Sequence, residues 1–360
     1  LFRQVGIYAH TGQLYEPVDR ESLLYYKEAK DGAILEEGIT EAGSMSSFIA
    51  AGTSYATHGV PMIPFFSYYS MFGFQRIGDL AWAAGDSRAK GFMMGGTAGR
   101  TTLAGEGLQH NDGHSHVLAL PIPNLKAYDP AFAYEMAAII RDGLKRMYED
   151  METLFYYITM MNEQYNMPAM PEGDGVEEGI LRGIYRFKAS ESRARKKKAH
   201  LFGSGTILNE VREAARILES DFDIAADVWS VTSYKELYMD CTDVERSNMR
   251  NPGGKKRKSY LEQQLEGEDG VFVAATDYMK VLPAMIAKWL PNRYAILGTD
   301  GYGRSDHRAE LRDFFEVDAR HIAFAAIHEL AKDDRIPSTV AKEAAKKLRI
   351  DRKKLNPVTL

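Results

Sequence analysis

Cysteine occurs once in 360 residues, as Cys241. No disulfide can form within the chain, and a reducing compartment suits it. No apolar run approaches the roughly 20 residues that a membrane-spanning helix needs. Neither sign of charge strongly predominates, with 45 Lys+Arg against 50 Asp+Glu and a formal net charge of −5; nucleic acid would call for a basic patch or stripe. Internal repeats and low-complexity stretches are missing, and no transit peptide is visible. There is no initiator methionine, so the opening Leu1-Phe-Arg-Gln-Val5 reads as the interior of something longer. What remains is ordinary globular composition, 45% hydrophobic and 26% charged, long enough for two domains with a core each.

From Ala33 to about Phe187, short apolar runs alternate with amphipathic stretches, which predicts an α/β layer fold. Strands are expected over Pro61–Phe66, Gly91–Met94, Val117–Leu120 and Leu154–Ile158. Helices are expected over Ser44–Ala56, Met71–Ala84 and Ala131–Tyr148, the last from Tyr134, Ala137, Ala138 and Leu144 at helical spacing. The polar, basic stretch Lys188–Lys198 has linker composition. A second α/β unit follows: His200–Ile207 as strand and turn, Leu208–Leu218 as helix, and Ala226–Val231 as strand. Gly270–Ala275 and Tyr294–Gly298 add two strands, and Ala319–Leu348 is mostly helical. Two parallel-sheet α/β domains put ligands at the carboxyl ends of strands.

Four segments have the residue types for chemistry there. Glu41 precedes an apolar helix. It is either a first-turn acid placed for the helix dipole or a carboxylate that hydrogen-bonds a heterocycle in a cleft. The run Phe65–Phe74 is dense in aromatics; such density forms core, yet Tyr69 and Phe72, three apart at a strand-to-helix handover, also suit one wall of a slot for a flat ring. The glycine-rich loop Gly105–His116 contains His110, Asn111, Asp112, His114 and His116. A metal set from His114, His116 and Asp112 lacks completing ligands, so a histidine poised for proton transfer is the better reading. Gly298–Asp306 reads as a turn, with Asp306 as a helix cap. The basic clusters Arg193–Lys198 and Lys255–Lys258 read as solvated loops.

Read together, these segments resemble one family: the single-chain, homodimer-forming pyruvate dehydrogenase subunit (acetyl-transferring) of the transketolase-like thiamine enzymes. The resemblance runs through Glu37–Gly43, Tyr68–Asp79, Leu80–Asp86, Gly95–Thr102, Gly105–His110, Met167–Gly173, Ala275–Lys280 and Gly298–Asp306. It implies a pyrimidine-binding domain over residues 1–187, a linker over 188–198 and a transketolase-like carboxyl-terminal domain over 199–360. It implies thiamine diphosphate as cofactor, with Glu41 hydrogen-bonding a ring nitrogen of the aminopyrimidine and favouring its imino tautomer. Phe72 falls on the ring-stacking aromatic and Tyr69 on a position lining the substrate pocket. His110 matches the active-site histidine, with Glu106 a further candidate in its loop. The substrate implied is pyruvate, decarboxylated by the cofactor's own chemistry. The acetyl unit would pass to a lipoyl domain of the dihydrolipoyl acetyltransferase, and a homodimer in a bacterial cytoplasm is the implied setting.

The family's other half-site holds Mg2+ and the diphosphate through Gly-Asp-Gly followed downstream by Asn. Here Gly173-Asp-Gly175 stands in a Pro- and Gly-rich loop with Asn209 as the first downstream Asn, a coincidental match. The magnesium ligands, the diphosphate domain and the opening strand of the pyrimidine domain are therefore expected outside this chain, which alone is expected to be inactive. A transketolase, another 2-oxo acid dehydrogenase and a non-catalytic dimerisation module are the competing readings.

Overall fold

The computed structural model describes residues 2–18, 26–192 and 196–360. Arg193–Arg195, the start of one basic cluster, lie outside the described residues. Two parallel sheets organise the chain. The first unit contains α1 (Glu41–Thr57), β1 (Phe65–Tyr69), α2 (Gly73–Asp86), β2 (Phe92–Gly96), β3 (Leu125–Tyr128), α3 (Ala133–Leu144) and β4 (Phe155–Thr159). Its four strands run parallel in the order β1-β2-β4-β3. After α4 (Val176–Arg182) come β5 (Tyr185–Lys188), β6 (Lys198–Gly203), α5 (Ile207–Phe222), β7 (Ala225–Ser230) and α6 (Tyr234–Arg250). The chain continues as β8 (Val271–Ala275), β9 (Tyr294–Leu297), α7 (Arg308–Phe314), α8 (Ala319–Lys332) and α9 (Ser338–Lys347). The second sheet has the order β9-β8-β6-β7-β5, parallel except for β5, which runs antiparallel to β7.

The central strands are apolar runs because both faces of each sheet are covered. Every residue of β4, β7 and β8 is buried. In the first sheet, Phe66, Met93 and Tyr157 pack toward α1 and α2 with Phe48, Ile77 and Ala81. Phe92, Tyr156 and Ile158 pack toward α3 with Ala138 and Ile139. In the second, Leu201, Val228 and Val273 meet Val211, Leu218, Ile322 and Ile327 of α5 and α8. On its other face Phe202, Trp229 and Phe272 meet Leu237 and Cys241 of α6. Each Val, Leu, Ile, Phe or Met among these, fully buried, contributes roughly 1.5–3 kcal/mol.

Several elements differ from the sequence expectation. Val117–Leu120 is no strand: Ser115–Leu118 forms a short helical turn, because the Asp112 carboxylate accepts from the backbone N–H of both His114 and Ser115 at 2.9 Å and starts a turn. The helix expected over Ala131–Tyr148 is α-helical to Leu144 and widens into a π-helical turn over Lys145–Glu149. The strand Tyr185–Lys188 joins the second sheet, so the change of sheet precedes the stretch of linker composition. Asp306 is not a helix cap; His307 is the residue before α7. No helix among the described residues is long and apolar enough to cross a membrane.

Candidate active site

The carboxyl ends of the two sheets face each other. Asp129, just past β3, donates its N–H to the Thr232 carbonyl beyond β7 at 2.8 Å, and its carbonyl accepts from Gly205 beyond β6 at 3.1 Å. From the other unit, buried Lys235 of α6 donates to the Ala119 and Ile122 carbonyls at 2.8 and 2.7 Å. Burial lowers its pKa to about 8.

The segment after β2, Thr97–Thr102, is docked on the segment after β8. The Asp277 carboxylate accepts from the Thr101 N–H at 2.8 Å, the Thr101 hydroxyl at 2.7 Å and the Thr102 hydroxyl at 2.6 Å. Burial raises the Asp277 pKa, and those donors oppose the rise. The buried Arg100 guanidinium donates to the Thr299 carbonyl at 2.7 Å, to the Gly301 carbonyl, and to His114 Nδ1 at 3.2 Å. His114 thereby keeps its proton on Nε2, and burial lowers its pKa.

Between these pins lies a buried polar core. Asp129 Oδ1 accepts from the Thr159 hydroxyl at 2.7 Å, while Oδ2 finds no hydrogen-bond partner among the described residues. Burial above all, with the like charges of Asp277 and Asp112, pushes the Asp129 carboxyl up to about 7. His116 Nε2 meets the Thr159 hydroxyl at 3.2 Å, and burial pushes the imidazole down to about 4.

The candidate site lies at the carboxyl end of edge strand β1. Thr40 caps α1, its hydroxyl accepting from the Gly43 N–H at 3.2 Å, and this sets Glu41 in the first turn. Beyond β1 a 3-10 turn over Ser70–Phe72 leads into α2. Gly73 is required at this handover, since a Cβ there would lie 2.1 Å from the Tyr68 ring. The turn aims Tyr69 and Phe72 at His110: ring centroids are 6.0 Å apart for Tyr69 and Phe72, 5.9 Å for Tyr69 and His110, and 5.2 Å for Phe72 and His110. The two histidine contacts are edge-on, a favoured aromatic geometry.

One residue that the sequence reading did not single out joins Glu41 to this cluster. Arg76 lies one helical turn beyond Phe72, so both share a face. Its guanidinium sits 4.2 Å from the Phe72 ring centroid and donates to Glu41 at 2.7 Å. That spacing of four was the one signal that would have found it.

The His110 loop is set by glycine and by the second domain. Gly105 and Gly107 take φ of +85° and +86°, conformations that disfavour a side chain. The Gly105 N–H donates to the Asp306 carbonyl at 3.2 Å, and a Cβ on Gly107 would lie 2.2 Å from the Ser305 hydroxyl. His110 Nδ1 lies 3.7 Å from the Glu106 carboxylate, too far for a hydrogen bond, and is buried without a hydrogen-bond partner among the described residues. Tyr69, Phe72 and His110 thus come together with Glu106 beside them, and Glu41 joins through Arg76. His114, His116 and Asp112 form no metal cluster among the described residues. The two groups whose ligand atoms converge there are His200, Asp227 and Glu268, and Asp313, Asp318 and His321. Lys198 sits 2.9 Å from both carboxylates of the first, and Arg320 pairs with both aspartates of the second.

Residues 1–168 match the family model described as the pyruvate dehydrogenase E1 component middle domain, and residues 183–318 the transketolase-like TK C-terminal domain. The pyruvate dehydrogenase E1 components of Pseudomonas aeruginosa and Escherichia coli K12 are 57% and 55% identical over 362 and 359 residues. Each alignment covers 99% of this chain, which spans 40% of either relative's length. Transketolase from Leishmania mexicana matches with a TM-score of 0.63 at 14% identity, over 84% of this chain and 38% of its own. A split-gene transketolase, described as an inactive beta4 tetramer, matches with 0.59 at 15% identity, over 91% of this chain and 93% of its own. Those two likenesses establish a transketolase-like fold. With 55–57% identity along almost its whole length, the chain belongs to the pyruvate dehydrogenase E1 component family.

Proposed function

We propose that this chain supplies the aminopyrimidine half of a thiamine-diphosphate site in an enzyme that decarboxylates pyruvate and passes the acetyl unit to a lipoyl group. The observation that carries the reading is the pairing of Phe72 and Glu41 around a flat, nitrogen-rich cation, the Arg76 guanidinium. An aromatic face with a carboxylate at its edge fits a flat heterocycle that donates N–H bonds, so the residues present suit the group. When bound, thiamine diphosphate supplies the electron sink for loss of carbon dioxide.

The chain's own residues do the rest. Phe72 stacks the ring and fixes its plane. Glu41 accepts a hydrogen bond from a ring nitrogen and holds a proton there, a role typically worth about 10²–10⁴-fold. Tyr69 walls the pocket on the substrate side. His110, with Nδ1 free of internal bonds among the described residues, is oriented by its glycine loop to hydrogen-bond the substrate, and Glu106 stands beside it in the same loop. The diphosphate and Mg2+ are assigned to residues outside this chain, and a homodimer acting with the lipoyl domain of the acetyltransferase is the assembly proposed.

The test is pyruvate-dependent release of carbon dioxide with thiamine diphosphate and Mg2+. The chain would be assayed alone and mixed with the complementary part of a relative. Activity confined to the mixture is expected; a correctly folded mixture without activity overturns the assignment.

A further inference from the structure

The basic cluster Lys255–Lys258 is part of a larger patch that the site just proposed does not use. Arg246, Arg250, Lys255, Lys256, Arg257 and Lys258 stand in one stretch that contains no Asp or Glu, in a chain whose net charge is −5. All of these cations are exposed. Among the described residues only Lys258 has an acidic partner, Glu266. The other cations repel one another, and an opposite charge relieves that repulsion. The backbone beneath them is held. Asn248 Nδ2 donates to the Arg257 carbonyl at 2.9 Å, and Asn248 Oδ1 accepts from the Arg257 N–H at 2.8 Å, which pins the end of the loop to α6. Within the loop the Gly254 N–H donates to the Asn251 carbonyl at 3.1 Å, and a Cβ on Gly254 would lie 2.0 Å from the Asn251 side-chain nitrogen. Just past it, the N–H of buried Tyr260 donates to the Asp240 carboxylate at 2.6 Å. A loop ordered in advance loses little freedom when it binds. Met249, 74% exposed, stands among the cations.

We infer that residues 246–258 are a docking surface for a short acidic segment of a partner protein, whose carboxylates meet these cations and whose apolar side chain covers Met249. Charge complementarity sets the sign of the partner. The acids around the patch set its length: Asp243 and Glu245 precede it on α6, and Glu262 and Glu266 follow it. A long polyanion such as nucleic acid would run across those carboxylates, whereas a short acidic segment stays within the cations. The place in the fold matters as well. Helix α6 starts beyond the carboxyl end of β7, and its 17 residues span about 25 Å at ~1.5 Å per residue. The patch therefore lies at the end of the second domain away from the candidate active site, and a partner docked there leaves that site open.

The probe is a fluorescein-labelled peptide of Asp and Glu residues flanking one Leu. A second peptide has every acid replaced by Asn or Gln, and a single-stranded oligonucleotide carries the same charge as the first. Binding to the chain is followed by anisotropy for the native protein and for a variant combining Arg246→Gln, Arg250→Gln, Lys255→Gln and Lys256→Gln. A control combines Lys342→Gln and Lys346→Gln, exposed lysines of α9. All of these changes are on the surface, and a shared urea midpoint checks the fold. The acidic peptide should bind the native chain, the neutral one should not, and added salt should weaken the complex. Each cation removed from the patch should weaken it about twofold to fivefold, so the combined variant should lose more than about tenfold. The α9 control should bind as the native chain does. Absence of binding by the native chain, undiminished binding by the combined variant, or an equal loss per cation in the α9 control overturns the inference. So does equal binding of the neutral peptide. An oligonucleotide that binds more tightly than the acidic peptide overturns it in favour of nucleic acid.

Discussion

Replacing Asp129 with Asn tests whether the interface between the two sheets is built as a buried, largely uncharged polar core. The carboxyl rises from 3.8 to about 7 on folding, mainly through burial. Below pH 3.8 the group is protonated whether folded or not and has no effect. Between 3.8 and about 7 only the unfolded chain ionises, so the folded state loses stability as pH rises. Above about 7 the loss is complete, at roughly 4 kcal/mol, since each pH unit of displacement corresponds to about 1.4 kcal/mol. Asn is a neutral isostere whose carbonyl can still accept from Thr159. Any fixed penalty from its amide, where Oδ2 has no partner, is the same at every pH and drops out of a comparison between two pH values. From pH 5 to pH 8 the native chain should therefore lose roughly 2–3 kcal/mol relative to Asp129→Asn. In urea that moves the two midpoints apart by about 1 M, taking a slope near the top of the usual ~1–3 kcal/mol/M. A midpoint difference that stays constant from pH 5 to pH 8, or moves the other way, refutes the reasoning.

Three further outcomes follow from the same interface. His116 is held neutral with its pKa depressed to about 4. Its contribution is intact above pH 6.5 and is lost as pH falls from 6.5 to about 4, up to about 3 kcal/mol; because Asp129 acts in the opposite sense over that range, the loss is read as the change in the urea-midpoint difference between the native chain and His116→Gln, and a constant difference refutes it. Asp277→Ala leaves the Thr101 N–H and the hydroxyls of Thr101 and Thr102 without their acceptor, and should lower the unfolding free energy by about 3 kcal/mol or more. Gly107→Ala combines a positive φ with a Cβ 2.2 Å from the Ser305 hydroxyl, whereas a Cβ on Gly105 meets nothing within 4 Å. In the complemented mixture Gly107→Ala should reduce turnover by up to ~100-fold through displacement of His110, and Gly105→Ala by much less.

The core strands were readable in the sequence because a parallel sheet covered on both faces writes them as apolar runs, as in Phe155–Thr159 and Val271–Ala275. Strand β3 was missed because it carries Lys126, whose charge is taken up by Glu236 at 2.6 Å from the other unit. The long helix α6 was missed because it is mostly polar and buries only a narrow stripe that includes Leu237, Cys241 and Val244. Val117–Leu120 shows the converse error. Four apolar residues cannot separate strand from helix, and the deciding acceptor, Asp112, stands outside the run. Tyr69 and Phe72 were found as a pair by their spacing, and His110 separately, by residue type and motif. Their meeting depends on a loop clamped by Ser305 and Asp306, some 200 residues away in sequence, which no local pattern records. Asp277 holding Thr101 and Thr102 across 176 and 175 residues was hidden for the same reason. Arg76 escaped because an arginine on an exposed helical turn looks like solvated surface.

The central claim is that Glu41 handles a proton on the ligand's ring. The direct measurement is pyruvate-dependent release of carbon dioxide by the complemented mixture, with Glu41 intact and with Glu41→Gln. Both proteins would first be shown to have the same urea midpoint. Gln keeps the size and one acceptor but not the charge, so turnover should fall by about 10²–10⁴-fold. Turnover within a factor of about two of the native mixture would contradict the account and leave Glu41 as a first-turn acid of its helix.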